Sequence, residues 1–298
     1  MPELPEVECL IRHLKKALPL GPLEKLVVHK PRLLRLDRTF DAACPWTDNL
    51  TGHHLNALSR HGKYWIMHWS KAPAKAKQII PDTLHISGHL GMTGRLYIQK
   101  HQDRPDNRTP EHTVAEFIFP DSTLYFRDPR QFGMMICGQV NQSALSPDPL
   151  TPDWLTEPWP ASFTRSKKAL KVCLLDQSIA AGVGNIYASE VLFESGIHPH
   201  IPPASLDNSQ MDSLRMTIRT VLQRAVDFGS SLQLNFSGEK SSDRLFYFGS
   251  ASGAARVHEF FNVYDRDGDA CRRCGTTIEK IIQTGRSTFF CPVCQKIR

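Results

Sequence analysis

Two Cys-x-x-Cys pairs, Cys271-Arg272-Arg273-Cys274 and Cys291-Pro292-Val293-Cys294, lie near the end of the chain with sixteen residues between them. Thiolates paired at this spacing let a short polypeptide surround one zinc ion tetrahedrally, each pair presented from a tight turn. The redox alternative asks for a single such pair beside a strand–helix–strand pattern, which this region lacks. Four protein thiolates leave no open coordination position, so the expected zinc is structural. A module of about 30 residues has too little core to fold without its metal, and its use lies in what it displays. Between the pairs, Gly285-Arg286-Ser287-Thr288-Phe289-Phe290 reads as a hairpin with one arginine at its tip, either a solvated side chain or a phosphate contact. The other cysteines, Cys9, Cys44, Cys137 and Cys173, are scattered and read as reduced, half-buried thiols.

Charge follows the same geography. The 298 residues carry a net charge of +6. From Cys271 onward there are six basic residues (Arg272, Arg273, Lys280, Arg286, Lys296 and Arg298) against the single acid Glu279, so most of the excess sits in the last tenth of the chain. That distribution makes nucleic acid a candidate partner. A second basic run, Lys30 to Arg38, interleaves charges with apolar residues and reads as a strand with one wet face in preference to a binding stripe. No stretch approaches the roughly 18 apolar residues of a membrane span. The acidic N-terminus lacks the basic flank and apolar run of a signal peptide. The expectation is a protein of the cytoplasm or nucleoid with no membrane partner.

A length of 298 residues suggests about two domains. After an opening helix, residues 1–142 alternate short apolar runs with glycine punctuation: Leu84–Ser87, Arg95–Ile98, Val114–Phe119 and Thr123–Phe126. Strands at this spacing predict a β-sandwich or barrel, with polar loops at 71–82 and 100–111. Residues 143–164 are dense in proline and read as a linker with little regular structure. Helical periodicity follows over Lys168–Ser178, Asn185–Ser195 and Asn208–Phe228, the last closed by Gly229, within a domain at 165–262. Residues 236–256 are loop-like, and the cysteine module takes 263–298. The expected fold class is α+β and multidomain.

The opening Met1-Pro2-Glu3-Leu4-Pro5-Glu6-Val7-Glu8 leads into apolar residues at Val7, Leu10, Ile11, Leu14 and Leu18, spaced for a helix. Pro5 and the acids suit a helix N-terminus, which leaves Pro2 and Glu3 unexplained. Three further stretches stand out. His89-Leu90-Gly91-Met92-Thr93-Gly94 exposes a methionine in a glycine-rich turn; Asp128-Pro129-Arg130-Gln131-Phe132-Gly133 places arginine and phenylalanine two apart; and Gly182-Val183-Gly184-Asn185 joins two helices. Taken singly, each also reads as a core methionine, a structural turn and a tight helical hairpin.

Taken together and in this order, these motifs resemble the bacterial formamidopyrimidine-DNA glycosylases, from Pro2 to Gln295. The resemblance implies a β-sandwich with a terminal helix, a helix-two-turn-helix domain and a β-hairpin zinc finger. It implies a monomeric base-excision enzyme that acts on damaged double-stranded DNA, removing oxidised purines such as 8-oxoguanine and formamidopyrimidines and then performing β/δ-elimination. In that family Met1 is removed and the new terminal proline, here Pro2, is the nucleophile. A secondary amine at the terminus can form an iminium with sugar C1′, and it titrates near 7.7–8.0, so an appreciable neutral fraction exists at physiological pH. Glu3 matches the general acid/base and Glu6 a further carboxylate. Lys63, in Arg60-His61-Gly62-Lys63-Tyr64, matches the β-elimination lysine, and Arg286 the finger arginine that grips phosphate. Asn185 matches a phosphate ligand at a helix start. His89, His112 and the group Arg165, Lys167, Lys168 and Lys171 are expected at the DNA backbone. Met92, Arg130 and Phe132 would fill the stack vacated by the extruded base. Gln131 stands where the family usually has a second arginine, and the loop after residue 236, which caps the flipped base in the family, departs further.

Two rival readings remain. An endonuclease VIII-like enzyme for oxidised pyrimidines keeps the chemistry and changes the substrate, but the MPELPE opening and the Met-Arg-Phe set favour the purine branch. A non-catalytic zinc-finger DNA-binding protein explains Arg286 and Asn185 yet has no use for Pro2 and Glu3.

Overall fold

The computed structural model describes residues 1–36, 50–71, 84–103, 108–138, 144–231 and 261–297. The loop readings at 236–256 and at 71–82 beyond its first residue, the middle of 100–111, the end of the basic run and Cys44 fall outside the described residues. The chain forms two units: the first holds residues 1–2 and 6–138, the second residues 3–5, 144–231 and 261–297.

Helix α1 (Leu4–Leu14) belongs to the first unit from Glu6 onward. Its apolar residues Val7, Leu10, Ile11 and Leu14 recur at three- to four-residue spacing and are all buried. Two sheets accompany it. Strands β1 (Lys25–Val28), β6 (Arg95–Lys100), β7 (Thr113–Ile118) and β8 (Ser122–Arg127) align in the order β1-β7-β8-β6. Strands β2 (Leu34–Leu36), β3 (His54–His61), β4 (Tyr64–Ser70), β5 (Leu84–His89) and β9 (Met134–Cys137) align in the order β2-β9-β5-β4-β3, with β2 and β9 paired parallel and the other neighbours antiparallel. Aromatic side chains join the two sheets. Trp69 stacks on Phe117 and Phe119 at centroid distances of 5.8 and 6.0 Å, and Trp65 meets Phe126 edge-on at 5.9 Å. The result is the expected sandwich. The basic run departs from expectation: Pro31–Leu33 form a 3₁₀ turn, fixed by the ring of Pro31, before the strand at Leu34.

The second unit is helical and ends in a hairpin. Helices α2 (Asp153–Thr156), α3 (Ala161–Thr164), α4 (Leu170–Leu174), α5 (Asn185–Glu194) and α6 (Asn208–Ser231) precede strands β10 (Glu279–Gln283) and β11 (Arg286–Phe290). The proline-rich stretch is not structureless, because it carries two one-turn helices and buries Trp154 and Phe163. Arg215 spreads its guanidinium over Trp159 and Trp154 at 4.2 and 5.1 Å, and Trp154 Nε1 donates to the Arg215 carbonyl at 3.1 Å. The helix expected over 168–178 shrinks to α4. Ser166 Oγ accepts from the Lys168 N–H and Asp176 Oδ1 from the Ser178 N–H, and these side-chain turns compete with helix at both ends. Helix α6 runs through Gly229, since one glycine inside a helix costs only about 1 kcal/mol. Among the described residues, no helix is long and apolar enough to cross a membrane.

Helix α5 organises this unit. Glu190 is buried on it and accepts three backbone N–H bonds: Asn262 at 2.8 Å on Oε2, and Val263 at 2.9 Å and Tyr264 at 2.8 Å on Oε1. Burial pushes its carboxyl upward, and those bonds pull it back. One turn on, Phe193 packs with Val263, Ile278, Phe289, Cys271 and Cys291, so the core of the cysteine module includes a helix residue. Glu190→Ala therefore strips three N–H groups of their acceptor and is expected to destabilise the protein by about 2–4 kcal/mol. Glu190→Gln, which keeps one acceptor oxygen, should lose less. Denaturant unfolding of the three proteins measures the order.

Candidate active site

The second unit places Glu3 at the N-terminus of α5. Its carboxylate is buried and accepts from the N–H groups of Gly184 (2.7 Å), Ile186 (2.9 Å) and Tyr187 (3.3 Å). Free N–H groups at a helix start, together with the helix dipole, make this a natural seat for a carboxylate. Gly184 is required by the approach: a Cβ there would lie 2.4 Å from Glu3 Cδ. The Leu4 N–H donates to the Gly182 carbonyl at 3.0 Å, fixing the same segment again. Pro2 is buried in the chain that still carries Met1.

Asn185, the first residue of α5, links the helix to the hairpin. Its Nδ2 donates to the Ser287 carbonyl at 2.9 Å, next to the exposed Arg286. Lys171 Nζ donates to Asn185 Oδ1 and, at 3.0 Å, to the same Ser287 carbonyl. This corrects the expectation for Lys171: it is wholly buried, whereas Arg165, Lys167 and Lys168 are exposed. Burial pushes the Lys171 ammonium down to about 8; Arg286 pushes the same way and Glu3 opposes. Tyr264 completes the group through a side-chain hydrogen bond with Asn185. No local sequence signal marked Tyr264 or the inward turn of Lys171, because both follow from packing on α5.

The four cysteine sulfurs lie within 4.8 Å of one another, with Cys271–Cys294 at 3.9 Å and Cys274–Cys291 at 3.5 Å. Zinc bound at about 2.3 Å needs thiolates roughly 3.8 Å apart, so the donor set fits one zinc ion.

In the first unit, Lys63 lies buried in the turn between β3 and β4. His89 pairs across strands with Tyr64, whose ring it meets edge-on at 5.3 Å, and its Nδ1 accepts the Gly91 N–H at 2.9 Å. Burial, helped by the Lys63 charge, lowers His89 to about 4. At neutral pH the ring is therefore uncharged, with its proton on Nε2. Glu6 is buried in α1, and His112 is exposed in a left-handed turn, φ 64°.

The turns bearing Met92 and Arg130–Phe132 come together. Thr93 Oγ1 donates to Asp128 Oδ1 at 2.5 Å, and the other oxygen of this fully buried aspartate accepts the Gly133 N–H at 2.7 Å. Gly91, at φ +61°, is needed for the contact, since a Cβ would stand 2.5 Å from the Phe132 carbonyl carbon. Phe132 and Met92 remain 58% and 41% exposed, and the Arg130 guanidinium lies 4.8 Å from the Phe132 ring centre. Two apolar side chains and a cation thus project from one braced platform.

Residues 1–135 match the family model described as the Formamidopyrimidine-DNA glycosylase N-terminal domain, and residues 145–236 its H2TH domain. Residues 268–297 match a zinc finger found in FPG and IleRS. A formamidopyrimidine-DNA glycosylase of Heliobacterium modesticaldum is 36% identical over 306 residues, spanning 99% of this chain and 100% of that protein. One from Brucella canis is 32% identical over 321 residues at the same coverage. The solved complex of Lactococcus lactis Fpg with an abasic-site-containing DNA superposes with a TM-score of 0.75 at 28% identity, covering 99% of this chain and 100% of that one. A second, with Fapy-dG-containing DNA, superposes equally well.

Two expectations follow from this geometry. His89 and His68 both fall to about 4 from 6.5, each chiefly through burial. Between those values the unfolded chain binds protons that the folded chain refuses, so stability should fall as pH drops from about 6.5 toward 4. His89→Asn should flatten part of that fall in Tm. Chelating the metal, or Cys291→Ser, should unfold the finger and weaken DNA binding at least as much as Arg286→Ala, measured as affinity against salt.

Proposed function

Since the chain belongs to the formamidopyrimidine-DNA glycosylase family and is a DNA glycosylase of base excision repair, we propose that it excises oxidised purines through a covalent intermediate on Pro2 and then cleaves the strand. Once Met1 is removed, the Pro2 nitrogen lone pair attacks C1′ of the damaged nucleotide. The bond from C1′ to the base nitrogen breaks, and its electron pair leaves with the base. The Pro2 N–H proton passes to the departing base, Glu3 gives a proton to the sugar ring oxygen, the ring opens, and the freed nitrogen lone pair turns the C1′–N bond into an iminium. Loss of a C2′ proton then expels the 3′ phosphate, with Lys63 and Arg286 serving the eliminations.

The observation that carries this reading is the seating of Glu3 on three N–H groups of α5. It holds the residue beside the nucleophile in one place, a provision that a protein which only binds DNA does not need. The other assignments follow the family's pattern. Arg286, Asn185, His89 and His112 contact phosphates, with neutral His89 donating through Nε2. Met92, Arg130 and Phe132 enter the duplex where the base has left, and Arg130 hydrogen-bonds the orphaned partner base. In this reading the protein is a cytoplasmic monomer working on chromosomal DNA.

Borohydride trapping on lesion-bearing duplexes tests the nucleophile. Pro2→Gly, or protein retaining Met1, should lose most covalent trapping and keep damaged-DNA binding; undiminished trapping with Met1 in place removes Pro2 from the role. Glu3→Gln should lose base excision by at least roughly 100-fold, the scale of one general acid, and excision at the wild-type rate would assign the proton elsewhere. Duplexes carrying 8-oxoguanine, a formamidopyrimidine or thymine glycol separate the purine reading from the pyrimidine one.

A further inference from the structure

Gln131 sits between Arg130 and Phe132 with its backbone in the left-handed region, φ 56°. Its side-chain oxygen accepts two N–H bonds from Arg32, one from Nε at 3.1 Å and a closer one from Nη2. Arg32 comes from the 3₁₀ turn Pro31–Leu33, a part of the chain about a hundred residues earlier. Its placement is fixed on both sides. Leu33 beside it is buried, and the following strand β2 pairs Leu34 with Met135, just beyond the Arg130–Phe132 turn.

This contact is an unusual use of an exposed arginine. The fork that matches a carboxylate or phosphate is turned on a neutral amide, which leaves the positive charge uncompensated. Among the described residues Arg32 has no carboxylate partner, and the three of its five N–H donors not aimed at Gln131 make no hydrogen bond. Gln131 is a neutral residue in the middle of a surface that the reading above sets against a duplex. A guanidinium held there by the Gln131 amide is a fixed cation with spare donors, which is what a phosphate oxygen requires.

We propose that Arg32 is a phosphate-binding residue of the DNA interface, held at the Met92–Arg130–Phe132 platform by Gln131. The ligand is a backbone phosphate of the duplex. Gln131 is the positioning residue, holding the guanidinium by its amide oxygen while its neighbours Arg130 and Phe132 enter the stack. The inference rests on the DNA-glycosylase reading of that platform.

Three variants distinguish a phosphate contact from a brace. Arg32→Gln removes the charge and keeps an amide N–H able to bond Gln131; Arg32→Ala removes both; Arg32→Ala with Gln131→Arg returns a guanidinium to the same turn. Binding to an abasic-analogue duplex is measured against salt, beside melting curves. If Arg32 neutralises a phosphate, Arg32→Gln and Arg32→Ala should both lower the slope of log affinity against log salt by about 0.9 and weaken binding roughly three- to ten-fold near 0.1 M salt. The double variant should regain the slope, and melting temperatures should match wild type. A wild-type slope in Arg32→Gln overturns the proposal and leaves Arg32 a brace. A depressed melting temperature in Arg32→Ala that is not restored in the double variant overturns it likewise. The underlying reading fails separately, and visibly, if the wild-type protein neither traps nor excises a lesion.

Discussion

The carboxylate of Glu3 on the N-terminus of α5 is the contact on which the functional half of this protein depends. A chain terminus is ordinarily the worst place to keep an atom in position, because nothing there offsets the entropy of fraying. Here residue 3 is tied by three N–H bonds, and residue 4 adds a fourth through Gly182. The N–H groups would be orphaned in any helix, and the carboxylate would be expensive to bury alone. Each satisfies the other.

The same helix distributes that order onward. Asn185 at its first position holds the Ser287 carbonyl, Glu190 one turn later gathers the 262–264 backbone, and Phe193 near its end enters the core of the metal module. The backbone at its start and three side chains along one rigid rod thus address Glu3, the hairpin that bears Arg286, the 262–264 backbone and the zinc site. Lys171, buried against Asn185 and Ser287, is part of this polar core, and its lowered ammonium pKa records how thoroughly it is withdrawn from water. The braced turns of the first unit work differently. Asp128 supplies acceptors to both loops from below, so that Met92 and Phe132 can stay exposed without collapsing inward. Exposed apolar side chains on a rigid base are suited to enter a stack of bases, which flexible ones would do at a greater entropic loss.

Much of this was legible in the residues. The CxxC spacing names its metal because thiolate chemistry and tetrahedral geometry leave little choice, and α1 and α5 showed in their helical spacing, a property of the chain itself. What pattern reading missed was decided by contact. Trp154 and Trp159 fold a proline-rich stretch against the guanidinium of Arg215, 61 residues away from Trp154 in sequence. The polar side chains of Ser166 and Asp176 shortened a helix that apolar spacing alone had drawn longer.

The sequence by itself determined the identity of the chemical groups: a proline and an acid at the start, four thiols at the end, a methionine, an arginine and a phenylalanine in glycine-rich turns. Those are covalent facts, and their local spacing is enough to set turns and helices. Tertiary structure alone decided where the groups point. Lys171 and Lys168 lie three residues apart and look alike in sequence, yet one is sealed against Asn185 and the other stands in water. Arg32 and Gln131 meet across 99 positions. Burial and long-range hydrogen bonds depend on which surfaces the fold presses together, and that information is carried by the packed whole, not by any window of the chain.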